Sequence, residues 1–359
     1  MTGPTQASDG SKYADAVLEG GGVRGIGHVG AVSIAEKLGY QWVNIAGTSA
    51  GAIVASMMAA GYNAAEMYEI MKDLDYSRFA DYEGFDWFVL DQVVNMIRRG
   101  GIHPGKYLED FMRSQLAQKG KHTFGDLVVK GRENDPRFRY RLTVIASDIS
   151  TGRIVRLPQD ARKLYGLEPD DFDIARAVRM SASYPFFFIP VEQQNTQGTI
   201  SRIIDGGMLS NFPVEIFDVS SEPAHPTFGF RFVDALPPGA DTQPELYAPT
   251  NNAFQILQAM LSTVLSAHDR LYLDDHNYVR TIPIPVNGIS ALQFDLSKEQ
   301  AETLYQNGQK AAEEFFANWD FDAYKAAYRS DAPPPTRLER LHTDMQVVLR
   351  NSQQLTTAN

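Results

Sequence analysis

The first 62 residues contain two strand–turn–helix units, and these decide the fold class. The apolar run AVLE leads into Gly20-Gly21-Gly22, after which small residues at helical spacing continue to Leu38. The run QWVNIAG breaks at Gly47 and leads into SAGAIVASMMAAG, whose alanine and methionine content favours a helix. Consecutive units of this kind form a parallel sheet with helices packed on it. The sequence therefore predicts an α/β fold with a mostly parallel central sheet and helices on both faces.

Later segments continue the sheet and close the fold with a helix. Further strands are predicted from RFRYRLTVIASDI, RIVRL, TISRIID, TFGFRFV and NYVRTIPIP. Residues 63–127 have a mostly helical pattern and are predicted to form a cap or insertion. Ser297, with Glu299 and Glu302 shortly after it, predicts the start of the closing helix.

We expect three segments along the chain. Residues 1–13 are polar and are predicted to form a disordered lead-in, and residues 14–320 are predicted to form one main domain. Residues 321–359 are predicted to be a C-terminal tail, because three consecutive prolines separate the polar stretch 336–359 from the rest.

Composition and charge exclude several kinds of protein. The 359 residues include no cysteine, so a disulfide framework, a thiol nucleophile and a cysteine-bound zinc site are ruled out. The net charge of −11 argues against nucleic acid and against general attraction to anionic lipid, so any lipid contact has to be local. We find neither a secretory signal pattern nor an apolar run long enough to span a bilayer. We therefore expect a cytoplasmic protein, with peripheral membrane contact allowed and export by a signal-independent route left open.

A serine lies between the second strand and the second helix. Gly47-Thr48-Ser49-Ala50-Gly51 matches the G-x-S-x-G nucleophile elbow, in which a serine occupies a sharp strand-to-helix turn. The alternative is a plain glycine-rich turn whose serine caps the helix. The flanking strand and helix favour Ser49 as a nucleophile.

The glycine run after the first strand offers backbone donors. The candidate oxyanion loop comprises Gly20, Gly21, Gly22, Val23, Arg24 and Gly25. Amides in such a turn are free to hold an anionic oxygen, and the arginine adds positive charge or a contact to a phosphate head group. The same glycines also match the dinucleotide fingerprint, but that motif needs an acidic residue at the end of the second strand. Because the chain has Thr48 and Ser49 there, we favour the oxyanion loop.

A third motif supplies a carboxylate. Asp205 follows the strand-like ISRII and precedes Gly206 and Gly207, so it is able to reach into a cleft, although an isolated Asp-Gly pair is more often a tight turn. A Ser-acid-His order stays open through the histidines that follow, which are His225, His268, His276 and His342. We expect His28, in the helix after the glycine loop, to have a packing or capping role.

Five blocks of the sequence resemble those of the patatin-like phospholipase family. GGGVRGIGHVGA, GTSAG and IDGGMLSNFPV have the order and separation of its glycine-rich, elbow and Asp-Gly blocks. AVRMSASYPFFFIPV is similar to the intervening block, with Ser181 and Pro185 at matching places, whereas Met180 and Ser183 stand where alanines are common. ALQFDLSKEQAETLYQNGQKAA is similar to the C-terminal segment of bacterial members, so the resemblance covers residues 14–320.

The resemblance implies a patatin-like three-layer sandwich in which residues 14–320 are a catalytic domain. It implies a Ser-Asp dyad without histidine, carried by Ser49 and Asp205, an oxyanion hole around Gly21, Gly22 and Val23, and neither metal nor cofactor. The expected reaction is phospholipase A type hydrolysis of fatty-acyl esters of phospholipids through an acyl-enzyme. An acyltransferase or thioesterase with the same dyad and a non-catalytic lipid-binding protein are the alternatives.

Apolar segments are candidates for a lipid-facing rim. Phe186, Phe187 and Phe188 are able to desolvate the aspartate or bind an acyl chain, although we expect at least two of the three to be ordinary core. Residues 86–97 and 254–267 are candidate rim helices, although half-buried core is the more frequent role of such patterns. The sequence does not specify an oligomeric state.

Overall fold

The computed structural model describes residues 12–80, 100–233 and 275–328, and its central sheet has a parallel part and an antiparallel part. With strands numbered in chain order, the parallel part has the spatial order β10-β9-β1-β2-β4. These strands are β1 (Lys12–Leu18), β2 (Tyr40–Thr48), β4 (Leu142–Asp148), β9 (Thr227–Val233) and β10 (Thr281–Pro285).

The antiparallel part continues from β4. Both β5 (Arg153–Leu157) and β8 (Ile200–Asp205) pair antiparallel with β4, and β7 (Val191–Gln194) pairs antiparallel with β8. A separate parallel pair joins β3 (Gly101–His103) to β6 (Phe186–Phe188).

Helices flank this sheet, which confirms the predicted sandwich with a mostly parallel centre. They are α1 (Ile26–Lys37), α2 (Ala50–Ala60), α3 (Ala64–Met71), α4 (Lys106–Gln118), α5 (Ala161–Tyr165), α6 (Ile174–Ser181), α7 (Asp275–Tyr278), α8 (Lys298–Ala317) and α9 (Phe321–Tyr328). Short 3₁₀ helices span Gly22–Gly25, Tyr76–Ala80, Phe124–Leu127, Pro169–Asp171 and Gly206–Met208. Across the three described stretches, none of the helices has the length and apolar character needed to cross a membrane.

The first helix is the centre of the core. All residues of α1 from Ile26 to Ala35 are buried, because the helix packs against α8 and α3 and lies beside β9 and β10. Its contact with α8 is close: a Cβ on Gly30 would lie 2.0 Å from the Tyr305 carbonyl oxygen, and one on Gly308 would lie 2.0 Å from that of Gly27. Glycine at these positions lets the two backbones touch.

The closing helix begins where the sequence predicts it. The Ser297 hydroxyl accepts the Gln300 amide N–H at 3.1 Å, and the Gln300 side chain accepts the Ser297 amide N–H at 3.0 Å. This capping box fixes the first turn of α8.

The observed segment boundaries differ from the predicted ones at several places. The first strand starts at Lys12, two residues inside the predicted lead-in, whose residues 1–11 are outside the described part. The predicted cap at 63–127 contains α3 and α4 but also the unpredicted strand β3, and its residues 81–99 are not described. The candidate rim helices at 86–97 and 254–267 also lie outside the described residues, as does 329–359 of the predicted tail. The domain boundaries stay predictions.

Candidate active site

Ser49 lies on a strained turn between β2 and α2. Its backbone has φ 53° and ψ −122°, a conformation that residues with a Cβ rarely adopt. The flanking glycines make room for the turn, because a Cβ on Gly47 would lie 2.3 Å from the Gly51 oxygen and one on Gly51 would lie 2.3 Å from the Leu18 oxygen. This is the local geometry of a nucleophile elbow, with the serine half-buried at its apex.

The topology of β4 brings Asp205 to this serine. β5 occupies one edge of β4 from Val144 to Asp148, so β2 and β8 have to share the other edge. On that edge Thr48 lies opposite Ile145 and Asp205 lies opposite Ala146. Because β2 runs parallel to β4 and β8 antiparallel to it, the two strands meet end to end. Ser49 and Asp205 are therefore adjacent.

The carboxyl group of Asp205 is buried, and only one of its two oxygens has a hydrogen bond of normal geometry. Its Oδ1 accepts the Gly207 amide N–H at 2.8 Å, whereas Oδ2 has no hydrogen bond of normal geometry to any described residue. Burial raises the pKa of Asp205 to about 6, against the opposing effects of the nearby Ser49 hydroxyl and the Gly207 amide. The hydroxyl is thus close enough to interact with the carboxyl group without a well-formed hydrogen bond. Such a carboxylate is a better base than an exposed one.

A second serine holds the elbow in place. The Ser49 amide N–H donates to the Ser181 hydroxyl at 2.8 Å, and that hydroxyl donates to the Ile145 carbonyl at 2.5 Å. Ser181 is fully buried at the end of α6 and thereby ties the elbow to β4. The sequence places Ser181 in a family block but does not reveal this bond, because it depends on where α6 packs.

The glycine loop lies against the elbow. A Cβ on Gly20 would be 3.2 Å from the Ser49 Cβ, and Gly22 has φ 57° with the Ala291 oxygen 1.9 Å from its Cβ position. Other amides of the loop are occupied: those of Gly20, Val23 and Arg24 donate to the carbonyls of Asn211, Ala291 and Gly21. Within the described residues, the amides of Gly21 and Gly22 donate to no acceptor.

The remaining residues of the motifs support this arrangement. Arg24 donates through Nε to the Ile289 carbonyl at 2.7 Å, so its side chain anchors the segment that covers the loop. A Cβ on Gly206 would lie 2.3 Å from the Ile145 oxygen, so the Asp-Gly turn also packs on β4. Pro185 is buried two residues after Ser183, whose carbonyl accepts the Asp205 amide N–H at 2.9 Å.

Histidines within the described stretches do not bond to Ser49 or Asp205. His28 is buried in α1, where Nε2 donates to the Glu19 carbonyl at 2.9 Å and burial lowers the pKa of the ring to about 4. This is the expected packing role. His225 pairs with Asp15 at 3.0 Å. His268, His342 and the side chain of His276 lie outside the described residues. In the same stretches, no group of three or more His, Asp or Glu side chains has an arrangement suited to a metal ion.

The three phenylalanines that follow Pro185 differ in their burial and contacts. Phe187 stacks on Phe294 with ring centroids 4.2 Å apart and planes within 3° of parallel. Phe188 is buried in the core and the half-buried Phe187 packs against it, in agreement with the expectation that at least two of these three are core, whereas Phe186 is half-buried outside that cluster. Phe186 also has φ 66°, which turns the chain sharply at this point.

The sandwich and the strained serine define an α/β protein with a nucleophile elbow. A sequence profile described as patatin-like phospholipase matches residues 16–218. The uncharacterized protein YqhO of Bacillus subtilis (strain 168) is 35% identical over 310 residues, which cover 86% of this chain and 100% of that protein. The chain therefore belongs to the patatin-like phospholipase family, as its motifs predict.

Two further proteins are similar to this chain. The probable lipid hydrolase 463L of Invertebrate iridescent virus 6 is 26% identical over 210 residues, or 57% of this chain and 63% of that protein. The crystal structure of VipD from Legionella pneumophila matches in fold with a TM-score of 0.50 at 16% identity, covering 87% of this chain and 69% of VipD.

Proposed function

We propose that the protein hydrolyses fatty-acyl esters of phospholipids, with Ser49 as nucleophile and Asp205 as base. The observation that carries this proposal is the position of a half-buried serine, on a strained elbow, beside a buried carboxyl group with one free oxygen. Membership of the patatin-like phospholipase family and the similarity to a probable lipid hydrolase support the same substrate class.

In the first step, Asp205 Oδ2 takes the proton of the Ser49 hydroxyl as Oγ bonds to the ester carbonyl carbon. The carbonyl π electrons move onto oxygen, and the free amides of Gly21 and Gly22 hold the resulting oxyanion. Each such donor contributes about 3 kcal/mol to lowering the barrier. Collapse of the tetrahedral intermediate breaks the ester bond, and the leaving alcohol takes the proton from Asp205.

In the second step, water attacks the acyl-enzyme while Asp205 accepts one of its protons. Collapse of this intermediate returns that proton to Ser49 Oγ and releases the fatty acid. No histidine is required, because the buried carboxyl group has a pKa of about 6 and is therefore more basic than an ordinary aspartate. The partly exposed Phe186 and Phe187 are suited to contact the acyl chain.

The test is fatty-acid release from mixed phospholipid vesicles, together with hydrolysis of a soluble short-chain nitrophenyl ester. We expect Ser49→Ala and Asp205→Asn to lose turnover on both substrates. Ser56→Ala and Asp148→Asn are the matched controls, since they change a buried serine and a buried aspartate away from the elbow. Both variants should keep wild-type turnover. Acyl transfer to an added alcohol with no free fatty acid would favour an acyltransferase. Wild-type inactivity on both substrates would contradict the proposal.

A further inference from the structure

The two amides of the glycine loop that donate to no described acceptor belong to peptides whose carbonyls are both held. A trans peptide is planar, so its C=O and N–H groups point in opposite directions and fixing one of them fixes the other. The Gly21 carbonyl accepts the Arg24 amide N–H at 3.2 Å, where the 3₁₀ helix Gly22–Gly25 begins. The loop itself therefore orients the Gly22 N–H.

The preceding peptide, between Gly20 and Gly21, is held from outside the loop by Asn211. The Asn211 side-chain Nδ2 donates to the Gly20 carbonyl at 3.4 Å, and the Asn211 backbone carbonyl accepts the Gly20 amide N–H at 3.3 Å. A Cβ on Gly20 would lie 2.2 Å from Asn211 Oδ1, so this close approach requires glycine. Because the Gly20 carbonyl is held towards Asn211, the Gly21 N–H on the same peptide is directed away from it.

The orientation of the Asn211 amide is fixed in turn by Glu19. Asn211 Nδ2 also donates to Glu19 Oε1 at 3.4 Å, and Glu19 Oε2 accepts the amide N–H of Phe232 in β9 at 2.6 Å. Both neighbours of this side-chain atom are acceptors, so the position requires a donor and the amide nitrogen occupies it. The buried Glu19 thereby links the asparagine to the sheet.

Asn211 and the proposed base lie on one short segment of the chain. Asp205 ends β8, and Asn211 follows six positions later. Between them, the Ser210 amide N–H donates to the Gly206 carbonyl at 2.9 Å, and the Ser210 carbonyl accepts the hydroxyl of Thr48 at 3.2 Å. The segment is therefore folded on itself and bonded to the last residue of β2.

We propose that Asn211 is a positioning residue, which holds the Gly20–Gly21 peptide so that the Gly21 N–H is available to the oxyanion. Its side chain bonds to the loop and not to the substrate. Residues 205–211 then carry both the base and the support of an oxyanion donor, so the two halves of the site keep one geometry. This inference rests on the proposed function, since the oxyanion is that of the proposed acyl-enzyme reaction.

The experiment measures kcat and KM of Asn211→Asp on the soluble nitrophenyl ester. This change is nearly isosteric, but it removes the donor to the Gly20 carbonyl. We expect kcat to fall about thirtyfold, somewhat less than for complete removal of an oxyanion donor, with KM changed by no more than about twofold. Asn211→Ala should give a similar loss. Asn307→Asp is the matched control, since the Asn307 amide donates to the Pro285 carbonyl at 2.8 Å instead of the loop, and it should keep wild-type kcat.

A transition-state analogue separates positioning from a general loss of structure. When an alkyl trifluoromethyl ketone binds, Ser49 Oγ bonds to the ketone carbon, Asp205 takes the hydroxyl proton, and the π electrons move onto the ketone oxygen. The inhibition constant of this ketone should increase about thirtyfold in Asn211→Asp. The inhibition constant of the corresponding trifluoromethyl alcohol, which forms no adduct, should change by no more than about twofold.

Gly20→Ala tests the same contact from the loop side. The added methyl group would displace the Asn211 side chain, so kcat should fall in this variant as well. In the double variant Gly20→Ala/Asn211→Ala, the shorter side chain at position 211 leaves room for the methyl group. The combined loss of kcat should therefore be smaller than the product of the two single losses.

The possible outcomes distinguish the role of Asn211 from the proposed function. Unchanged kcat in Asn211→Asp, with wild-type hydrolysis that Ser49→Ala abolishes, would overturn the role of Asn211 and leave the proposed function standing. Equal weakening of the ketone and the alcohol would also overturn it, because the variant would then have lost the site as a whole. A wild-type protein that hydrolyses neither the ester nor phospholipid would contradict the proposed function, and the role of Asn211 with it.

Discussion

At the scale of single residues, the proposed mechanism makes the ionisation of Asp205 set the pH range of activity. As the proposed base, the carboxyl group would accept a proton from Ser49 only when it is ionised, and burial raises the pKa of Asp205 to about 6. We predict that kcat/KM for the soluble ester increases about tenfold per pH unit below pH 6 and levels off above it. A pH–rate profile measures this, and a rate that does not change across pH 6 would exclude Asp205 as the base.

The same burial costs stability at neutral pH. The folded-state pKa lies above the value of about 3.9 for an unfolded aspartate, so between these values the folded protein binds more protons. Stability attributable to this group is therefore greatest below the unfolded pKa and decreases as pH rises through about 6.

Asparagine at this position removes the buried charge and still accepts the Gly207 N–H. We predict that Asp205→Asn raises the free energy of unfolding by an amount on the order of 3 kcal/mol at about pH 8, and by almost nothing at about pH 4. Denaturant unfolding at both pH values measures the difference. An equal effect at the two pH values would show that the carboxyl group is not desolvated.

Ser181 is expected to act on the rate by positioning Ser49. Ser181→Ala leaves the Ser49 amide N–H without its acceptor, so the elbow loses its tie to β4. We predict a decrease in kcat of at least about tenfold with little change in KM. Ser183→Ala is the matched control, since that hydroxyl donates to the Arg179 carbonyl and not to the elbow. Equal losses in the two variants would indicate a general packing defect.

The sequence reveals some of these residues and not others. Ser49 and Asp205 each lie in a short motif whose local pattern points to them. The bond between Ser181 and the elbow joins residues 132 positions apart, and no local pattern encodes it. The occupied amide of Val23 is likewise decided by the distant carbonyl of Ala291.

At the scale of elements, long apolar strands are predictable and short polar ones are not. The strand–turn–helix units at β1 and β2 and the hairpin of β4 and β5 follow from apolar periodicity and turn residues. β7 has the sequence VEQQ at the edge of the sheet, and β3 and β6 have three residues each. Such strands are defined by their partners, because they are too short to show a period.

The contact between α1 and α8 allows a graded test. A Cβ on Gly30 would collide with the Tyr305 carbonyl at 2.0 Å, whereas one on Gly27 would approach Phe232, Ile284 and the Leu304 oxygen at no less than 3.2 Å. Both changes to alanine improve helix propensity by about 1 kcal/mol. We predict that Gly30→Ala lowers the free energy of unfolding by about 2 kcal/mol or more and that Gly27→Ala has a smaller effect. Thermal unfolding measures both effects, and equal changes in stability for Gly30→Ala and Gly27→Ala would contradict the close contact between α1 and α8 at Gly30.

At the scale of the whole molecule, α9 extends the packed body past the predicted boundary at residue 320. Tyr324 is 6% exposed, with its ring 5.4 Å from that of Trp319, and Lys325 pairs with Glu222 at 2.9 Å. We predict that Tyr324→Ala lowers the free energy of unfolding by about 3 kcal/mol. Tyr328→Ala changes the same residue type at 40% exposure and should have little effect. Comparable unfolding curves for the two variants would mean that α9 adds no stability.

Because β2 and β8 meet end to end along one edge of β4, the pairing register on β4 determines the geometry of the whole site. Ser49 and Asp205 are 156 positions apart in the sequence, yet their spacing is set by which residues of β4 their strands face. Insertions in the intervening loops leave that spacing unchanged, whereas a slip of β8 by one residue turns the aspartate to the other side of the sheet. Evolution is thus free to alter the length of the chain between Ser49 and Asp205, provided that the register on the seven residues of β4 is kept.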